Sequence, residues 1–253
     1  NQYGGYSKHS PKTFIKEVNN LRKKIKLDQS QLFLGGDHLG PLPWKNNSNK
    51  MALDNSINLI NKFLNENFDK IHIDTSIKCK NDKFINSEII FDRTIKILNS
   101  SNIKKKIKNK FLIIGTEVPL SGSDDNKNII ITSFKQIKAE SLKFIKFLND
   151  QKFKEKKFGL VVEPGMKYMN SSIKKPLFKT FFKKRKFSKE NNFVYEAHST
   201  DYQPQKILDK LVDNNFKFLK VGPELTHNYS RALFFMNSIE KEFFKKSDSN
   251  IKK

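Results

Sequence analysis

Short apolar segments rich in β-forming residues alternate with longer segments of helical periodicity along this chain, and that alternation limits the fold more than any other feature. Strands that are each followed by a helix pack most simply into a parallel sheet, because every helix returns the chain to the same edge. The sequence therefore predicts an α/β protein. The predicted strands are Leu32–Gly36, Lys70–Thr75, Phe111–Thr116, Phe158–Glu163, Phe193–Ala197 and Phe216–Val221.

Two helix starts are readable between these strands. Ser10 is followed by Pro11, which is typical of an N-cap and a first helical residue, and Asp201 with Pro204 marks another start. Apolar residues at helical spacing follow Ser10 and predict one apolar face: Phe14, Val18, Leu21 and Ile25.

A length of 253 residues suits a single domain, and (β/α)8 TIM barrels commonly have about 250 residues. Such a barrel needs eight strands, whereas about six are visible. The first residues, 1–6, resemble the loop after a strand and lead directly into the helix at Ser10. We therefore expect residues 1–253 to form one TIM-barrel domain that lacks its first two βα units in this chain. An open six-stranded sheet is the alternative.

The formal charge of +23 would ordinarily suggest a nucleic-acid partner. The distribution of the charge favours another origin, because Lys is spread over every helical segment and is overused together with Asn, Ile and Phe, as in proteins from AT-rich genomes. The dense basic run Lys183–Lys189 overlaps Phe residues at helical spacing, which predicts a solvated helix face. We expect no nucleic-acid partner.

The cysteine and hydropathy patterns indicate a cytoplasmic protein. Cys79 is the single cysteine, which excludes an internal disulfide and a multi-thiolate zinc site and fits a reducing compartment. No apolar run approaches the roughly 18 residues that a membrane span requires, so we expect no membrane partner.

Polar side chains collect where the predicted strands end. The carboxyl ends of parallel strands meet on one face, so these residues should converge on a common site. They are Asp37, His38, His72, Asp74, Glu117, Glu163, Glu196, His198, Asp201 and Lys220.

Histidine nitrogens and carboxylate oxygens at this face suit a divalent metal such as Zn²⁺, Mn²⁺ or Ni²⁺. The candidate ligands are His38 and His198, with one or both of Glu117 and Glu163. Each His taken alone is more often a hydrogen-bonded structural residue. Together, two His and two Glu residues at four separate strand ends favour a metal site.

Several of the other polar residues have a structural reading as well as a functional one. His72 and Asp74 share one face of a strand, so they are either a hydrogen-bonded pair or part of the chemistry. Asp201 either caps its helix or binds a ligand. Ser199 and Thr200 precede the same helix, whose N-terminus would suit a phosphate or a sugar hydroxyl.

Five segments together resemble the GatZ/KbaZ family, the non-catalytic subunits of class II tagatose-1,6-bisphosphate aldolase. They are Gly35–Pro41, Lys70–Ser76, Gly115–Pro119, Glu196–Gln203 and Lys220–Pro223. The resemblance implies a cytoplasmic TIM barrel of carbohydrate catabolism. It also implies a partner, the zinc-dependent catalytic subunit that such a protein supports.

The wider class II aldolases are similar in this region and imply roles for individual residues. In that reading Asp37 transfers protons, His38 and His198 bind a metal, and Ser199 and Thr200 contact phosphate. Glu163 stands where the aldolases have a third metal-binding His. The remaining assignments are Asp74, Glu117 and Lys220 as catalytic residues and His72 and Asp201 as substrate-binding residues.

Two functions of different class follow. The first is the accessory subunit, which needs no cofactor of its own. The alternative is a metal-dependent C4 epimerase of a ketohexose, a ketohexose phosphate or a hexuronate. It would act by retro-aldol cleavage and re-addition or by deprotonation, with the metal as Lewis acid.

Overall fold

The structure is a computed structural model that describes residues 8–115, 131–151, 153, 158–169, 172–176, 178 and 181–244. None of the helices within these ranges is long and apolar enough to cross a membrane.

A parallel sheet of six strands forms the centre of the described chain. Its order is β1-β2-β3-β4-β7-β8, so each strand lies beside the strand that comes next in this sheet along the chain. The six strands are β1 (Gly35–Leu39), β2 (Lys70–Ile73), β3 (Phe111–Ile114), β4 (Phe158–Val161), β7 (Val194–Ala197) and β8 (Phe216–Leu219).

Helices connect these strands and cover the outer face of the sheet. A two-stranded antiparallel sheet, β5 (Lys167–Met169) and β6 (Ser172–Lys174), lies in the connection after β4. The described helices are α1 (Pro11–Lys24), α2 (Asn49–Leu64), α3 (Ser87–Leu98), α4 (Ser101–Lys106), α5 (Phe134–Asp150), α6 (Phe181–Glu190), α7 (Gln205–Asp213) and α8 (Glu224–Phe244).

The sheet is strongly curled. Neighbouring strands lie about 4.8 Å apart, so the two outer strands of a flat six-stranded sheet would be about 24 Å apart. Instead, the Nζ atom of Lys220, directly after β8, is 2.8 Å from Oδ2 of Asp37 in β1. The ring centroids of Phe33, just before β1, and Phe218, in β8, are 6.0 Å apart. The α/β fold is therefore a curled half-barrel of six parallel strands, consistent with a TIM-like fold.

Side chains along each strand point alternately to the helix-facing side of the sheet and to the inner side of the curl. In β2, Ile71 and Ile73 belong to the hydrophobic core beneath the helices. Lys70 and His72 make their polar contacts with residues of other strands, such as the Lys70 bond to Glu196 of β7. The helix-facing side therefore supplies the core, and the inner side of the curl carries the polar residues.

The predicted helix start at Ser10 is confirmed, because the Ser10 hydroxyl accepts a hydrogen bond from the backbone N–H of Thr13 at 3.1 Å. The apolar face of α1 is less covered than its periodicity suggests. Leu21 and Ile25 are 59% and 67% exposed, and no residue of α1 is buried. The pattern thus predicted the helix correctly but not what packs against it.

The prediction for the first strand was wrong by three residues. It placed the strand at Leu32–Gly36, before the polar pair, whereas β1 spans Gly35–Leu39 and contains Asp37 and His38.

The predicted cap at Asp201 was also wrong in detail. Its carboxylate accepts from the backbone N–H groups of Gly222 and Glu224, at the start of α8, and not from the helix that follows it in sequence.

Candidate functional site

A group of polar side chains meets at the carboxyl ends of the parallel strands, inside the curl of the sheet. We call this group the polar centre. Its members are Asp37, His38, Lys70, His72, Asp74, Glu196, His198 and Lys220.

An irregularity in β1 turns two consecutive residues toward the polar centre. Neighbouring residues of a regular strand point to opposite faces, but the pairing of β1 with β2 shifts between Gly36 and Leu39, and His38 has a φ of 49°. As a result, Asp37 Oδ1 lies 3.0 Å from His72 Nδ1, and His38 Nδ1 lies 3.1 Å from Oδ2 of Asp74, the residue after β2. Both side chains of the pair therefore reach the same site.

The turn after β1 requires glycine. A Cβ atom on Gly40 would lie 1.6 Å from the backbone oxygen of Asp74, a distance that no rearrangement of a side chain could relieve. The side chain of Asp74 is the group that accepts from His38, so this close approach also sets the position of the His38 ring.

Glu196 is the most enclosed carboxylate of the polar centre, with 0% exposure. Lys70 Nζ lies 2.7 Å from its Oε2, while Lys220 Nζ and His198 Nε2 both lie 3.2 Å from its Oε1. Burial opposes ionisation of Glu196, but the hydrogen bond from His198 and the nearby positive charges hold the pKa of this carboxyl well below its usual range. It is therefore a carboxylate at neutral pH.

Asp37 is ionised for a similar reason. Burial works against its charge, but the hydrogen bond from His72 and the positive charge of Lys220 hold its pKa far below the usual range. Asp74 is likewise buried, yet hydrogen bonds from His38 and Ser76 lower its pKa. The polar centre thus holds three carboxylates, and ammonium groups contact two of them directly.

The buried histidines favour the neutral form. Burial lowers the pKa of His198 to about 4, although the Glu196 carboxylate acts in the opposite direction. Burial also lowers the pKa of His72 against the opposing effect of Asp37. A neutral imidazole is the form that binds a metal ion or accepts a proton.

Glu163, after β4, behaves differently from the other carboxyl groups. Burial raises its pKa to about 7, and the charge of Lys220 only partly opposes this. Its Oε1 atom is buried and has no hydrogen-bond partner among the described residues. A carboxyl group with a pKa near neutrality can exchange a proton with a ligand.

Among the residues that the structure describes, the ligand atoms of Asp37, His38 and His72 have the spacing of a metal site. One atom from each lies within 4.8 Å of the others. The oxygen and nitrogen donors suit Zn²⁺, Mn²⁺ or Ni²⁺, and the buried Nε2 atom of His72 has no partner in the described part of the chain. The residues present therefore fit a divalent ion, which would supply a Lewis acid when bound.

This triad differs from the predicted ligand set of His38, Glu163 and His198. His38 belongs to both sets, and its ring centroid is 5.6 Å from that of His198. Asp37 and His72, to which the sequence assigned catalytic and substrate-binding roles, complete the triad in the structure. A metal-binding role for Glu163 and His198 stays a prediction.

The predicted ligand-binding residues after β7 tie the strand ends together. The hydroxyl of Thr200 donates to the backbone oxygen of Lys220 at 2.8 Å. Asp201 accepts from two backbone N–H groups at the start of α8, as described above. Ser199 has a φ of 56°, so its backbone lies in the left-handed region of φ/ψ space. These contacts fix the loop, and contacts of Ser199, Thr200 and Asp201 with a sugar or phosphate stay predictions.

One predicted residue, Glu117, lies outside the described residues, and two members of the polar centre had no predicted role. Lys70 was missed as a site residue, and Glu196 was expected at the common site but was given no role, although a signal exists for both. Lys70 alternates with His72 along β2, and Glu196 alternates with His198 along β7 and the residue after it. Residues two apart in a strand share a face.

A curled parallel sheet with a polar centre at the carboxyl ends of its strands defines the class of TIM-like α/β proteins. The family model for the D-tagatose-1,6-bisphosphate aldolase subunit GatZ/KbaZ-like proteins matches residues 1–253. The chain belongs to this family, as the five sequence segments predicted.

Two curated relatives give the same assignment. The D-tagatose-1,6-bisphosphate aldolase subunit GatZ of Escherichia coli O1:K1 / APEC is 30% identical over 259 residues, covering 96% of this chain and 60% of that protein. The subunit GatZ of Salmonella newport (strain SL254) is 30% identical over 251 residues, covering 96% of this chain and 59% of the relative. This chain therefore spans about three fifths of the length of these relatives.

A solved structure is also similar. The structure described as a probable tagatose 6 phosphate kinase from Sinorhizobium meliloti 1021 superimposes with a TM-score of 0.80 at 27% sequence identity. The match covers 97% of this chain and 61% of that one. The half-barrel of this chain thus has a counterpart in a solved protein.

Proposed function

We propose that the chain acts as an accessory subunit of a class II D-tagatose-1,6-bisphosphate aldolase and supports the activity and stability of a separate catalytic subunit. The observation that carries this proposal is the family match over residues 1–253, together with the 30% identity to the GatZ subunits. The names of these relatives do not favour the C4-epimerase alternative.

The polar centre is the ligand site in this proposal. Its ammonium groups and ionised carboxylates face the inside of the curl, where the hydroxyl groups of a sugar or the oxygens of a sugar phosphate can exchange hydrogen bonds with them. Lys220 is 22% exposed at its side chain and Asp37 is 33% exposed, so both can be reached from solvent. We infer that a sugar or sugar-phosphate ligand contacts these two residues first.

We further infer that a divalent metal, Zn²⁺, Mn²⁺ or Ni²⁺, can bind the Asp37, His38 and His72 triad. An accessory subunit does not require this ion for its supporting role. The completion of an eight-stranded barrel by two further βα units and the cytoplasmic location both stay predictions.

Co-purification with the catalytic subunit tests the accessory role. The protein and a class II tagatose-bisphosphate aldolase catalytic subunit are co-expressed, with an affinity tag on the protein alone. We expect the catalytic subunit to elute with the tagged protein and to keep its activity longer at elevated temperature than the catalytic subunit alone. Elution of the two proteins apart, with equal inactivation rates, would contradict the proposal.

The tagged protein expressed alone, without any aldolase, tests the alternative. The protein is incubated with Zn²⁺ or Mn²⁺ and with ketohexose 6-phosphates and hexuronates, and C4 epimers are measured by chromatography. The accessory role predicts no epimer. If an epimer forms with the protein and is lost in His38→Ala, the protein is a C4 epimerase and the accessory role is rejected.

A further inference from the structure

We propose that the ammonium group of Lys220 is the resident cation of the Asp37, His38 and His72 triad, and that a divalent metal ion binds the triad only by displacing it. The proposal concerns the candidate metal site and does not depend on the accessory role.

The position of Lys220 Nζ is the first support. It lies 2.8 Å from Asp37 Oδ2, 3.0 Å from His38 Nε2 and 3.5 Å from His72 Nδ1, and so has an atom of every triad member nearby. A metal ion would lie about 2.0–2.2 Å from the same kinds of atom. The ammonium group therefore contacts the Asp37 and His38 ligand atoms and lies beside the His72 ring, and the triad would contract around a metal ion.

The orientation of His38 is the second support. Its Nδ1 atom lies 3.1 Å from Asp74 Oδ2, and this carboxylate can only accept. His38 therefore donates from Nδ1, which leaves Nε2 as the acceptor for the Lys220 ammonium at 3.0 Å. A carboxylate behind the imidazole is the arrangement that orients histidine ligands in metal sites. His38 is thus prepared for a cation at Nε2, whether ammonium or metal.

Charge is the third support. Lys220 contacts the Asp37 carboxylate and also lies 3.2 Å from Glu196 Oε1, so its charge compensates two carboxylates of the polar centre. A divalent ion in the triad would compete for the Asp37 and His38 ligand atoms and would repel an ammonium group only a few ångströms away. The two cations cannot occupy the triad together.

The surroundings of Lys220 allow its side chain to leave while its backbone stays. The backbone N–H donates to Ala197 O at 2.9 Å, and the backbone oxygen accepts from Thr200 at 2.8 Å. The side chain is 22% exposed, so the ammonium group has a path to solvent. Displacement therefore needs only rotation of the side chain.

The variant Lys220→Met tests the competition directly, because methionine keeps an unbranched apolar side chain and removes the ammonium group. Binding of Zn²⁺ and Co²⁺ is measured by calorimetry, with the Co²⁺ absorption spectrum as an independent signal. We expect the variant to bind each ion at least tenfold more tightly than the wild type. Equal or weaker binding by a folded Lys220→Met would overturn the proposal.

Lys70→Met is the matched control. Lys70 Nζ lies 2.7 Å from Glu196 and 3.7 Å from Asp37, so this variant removes an equal charge from the same centre but leaves in place the ammonium group that contacts Asp37 and His38. We expect its metal affinity to rise less than threefold. If both variants gain equally, the effect is one of total charge, and the specific role of Lys220 is rejected.

A second measurement uses the wild-type protein and does not depend on the folding of a variant. Lysines are acetylated with an amine-reactive reagent with and without Zn²⁺, and the modification of Lys220 and Lys70 is followed by mass spectrometry. The proposal predicts faster acetylation of Lys220 when Zn²⁺ is bound, with Lys70 little changed. Unchanged or slower acetylation of Lys220 with bound Zn²⁺ would contradict it.

Discussion

Lys184 allows a quantitative prediction about stability and pH. This lysine lies in α6 and is 1% exposed, and its ammonium group donates to the backbone oxygen of Thr132 at 3.0 Å. Burial lowers the pKa of Lys184 from 10.5 to about 8. A tenfold change in proton affinity corresponds to about 1.4 kcal/mol, so the buried charge costs ~3 kcal/mol of folding free energy at neutral pH.

The sign of the pH dependence follows from the proton count. Below about pH 8 the folded and unfolded chains both hold this proton, so the full cost is present. Between about pH 8 and 10.5 the unfolded chain still holds the proton that the folded chain has released, and the free energy of unfolding therefore rises with pH. The contribution of Lys184 should increase by ~2 kcal/mol between about pH 7 and 9.5.

The variant Lys184→Met removes this contribution. Urea unfolding of the wild type and the variant at a series of pH values from about 7 to 9.5 gives the difference in unfolding free energy, in which the other titrating groups largely cancel. We expect Lys184→Met to be more stable than the wild type by ~1–2 kcal/mol near pH 7, because the lost hydrogen bond to Thr132 offsets part of the gain. The advantage should fall to about zero or reverse by about 1 kcal/mol at about pH 9.5.

Lys186→Met is the control for this experiment. Lys186 lies on the same helix with 68% of its side chain exposed and faces Glu190 at 3.8 Å. Its removal should change stability by less than about 0.5 kcal/mol at every pH. A difference between the wild type and Lys184→Met that does not change with pH would mean that Lys184 keeps its ordinary proton affinity in the folded chain, contrary to this prediction.

Three further predictions concern the strand ends. Gly40→Ala should lower the melting temperature sharply or prevent folding, because the new Cβ atom would lie 1.6 Å from the backbone oxygen of Asp74; a melting curve like that of the wild type would contradict the described turn. Glu196→Gln should reduce the free energy of urea unfolding by about 3 kcal/mol, since it removes a buried carboxylate between two ammonium groups; a loss below about 1 kcal/mol would contradict this. In calorimetric Zn²⁺ titrations, His72→Ala should weaken binding at least tenfold and Glu163→Gln less than threefold, and the reverse order would favour the ligand set predicted from sequence.

Much of the architecture was predictable from local patterns. Alternation of apolar strands and periodic helices was sufficient to identify the six strands of the sheet, because both periods are visible without tertiary information. The shift of β1 was not predictable in the same way. Gly35 and Gly36 resemble the end of a strand, but the pairing with β2 continues through an irregularity that no local pattern marks.

The members of the candidate site were predictable as a group, whereas their pairings were not. Asp37, His38 and Lys220 were recognised as site residues because each lies at or just after the end of a predicted strand, and a parallel sheet brings the residues at its strand ends to one face. The contact of Lys220 with Asp37 depends on how far the sheet curls, and curling is a tertiary property. Lys184 was assigned to a solvated helix face for a related reason: a basic run gives no sign of which lysine faces the core.

The accessory role that we propose requires this chain to support a class II tagatose-bisphosphate aldolase. The most direct measurement is the rate at which a fixed amount of catalytic subunit cleaves D-tagatose 1,6-bisphosphate as increasing amounts of the protein are added. We expect a rate that rises and saturates with added protein, with no cleavage by the protein alone. A rate that stays constant over the whole titration would contradict it.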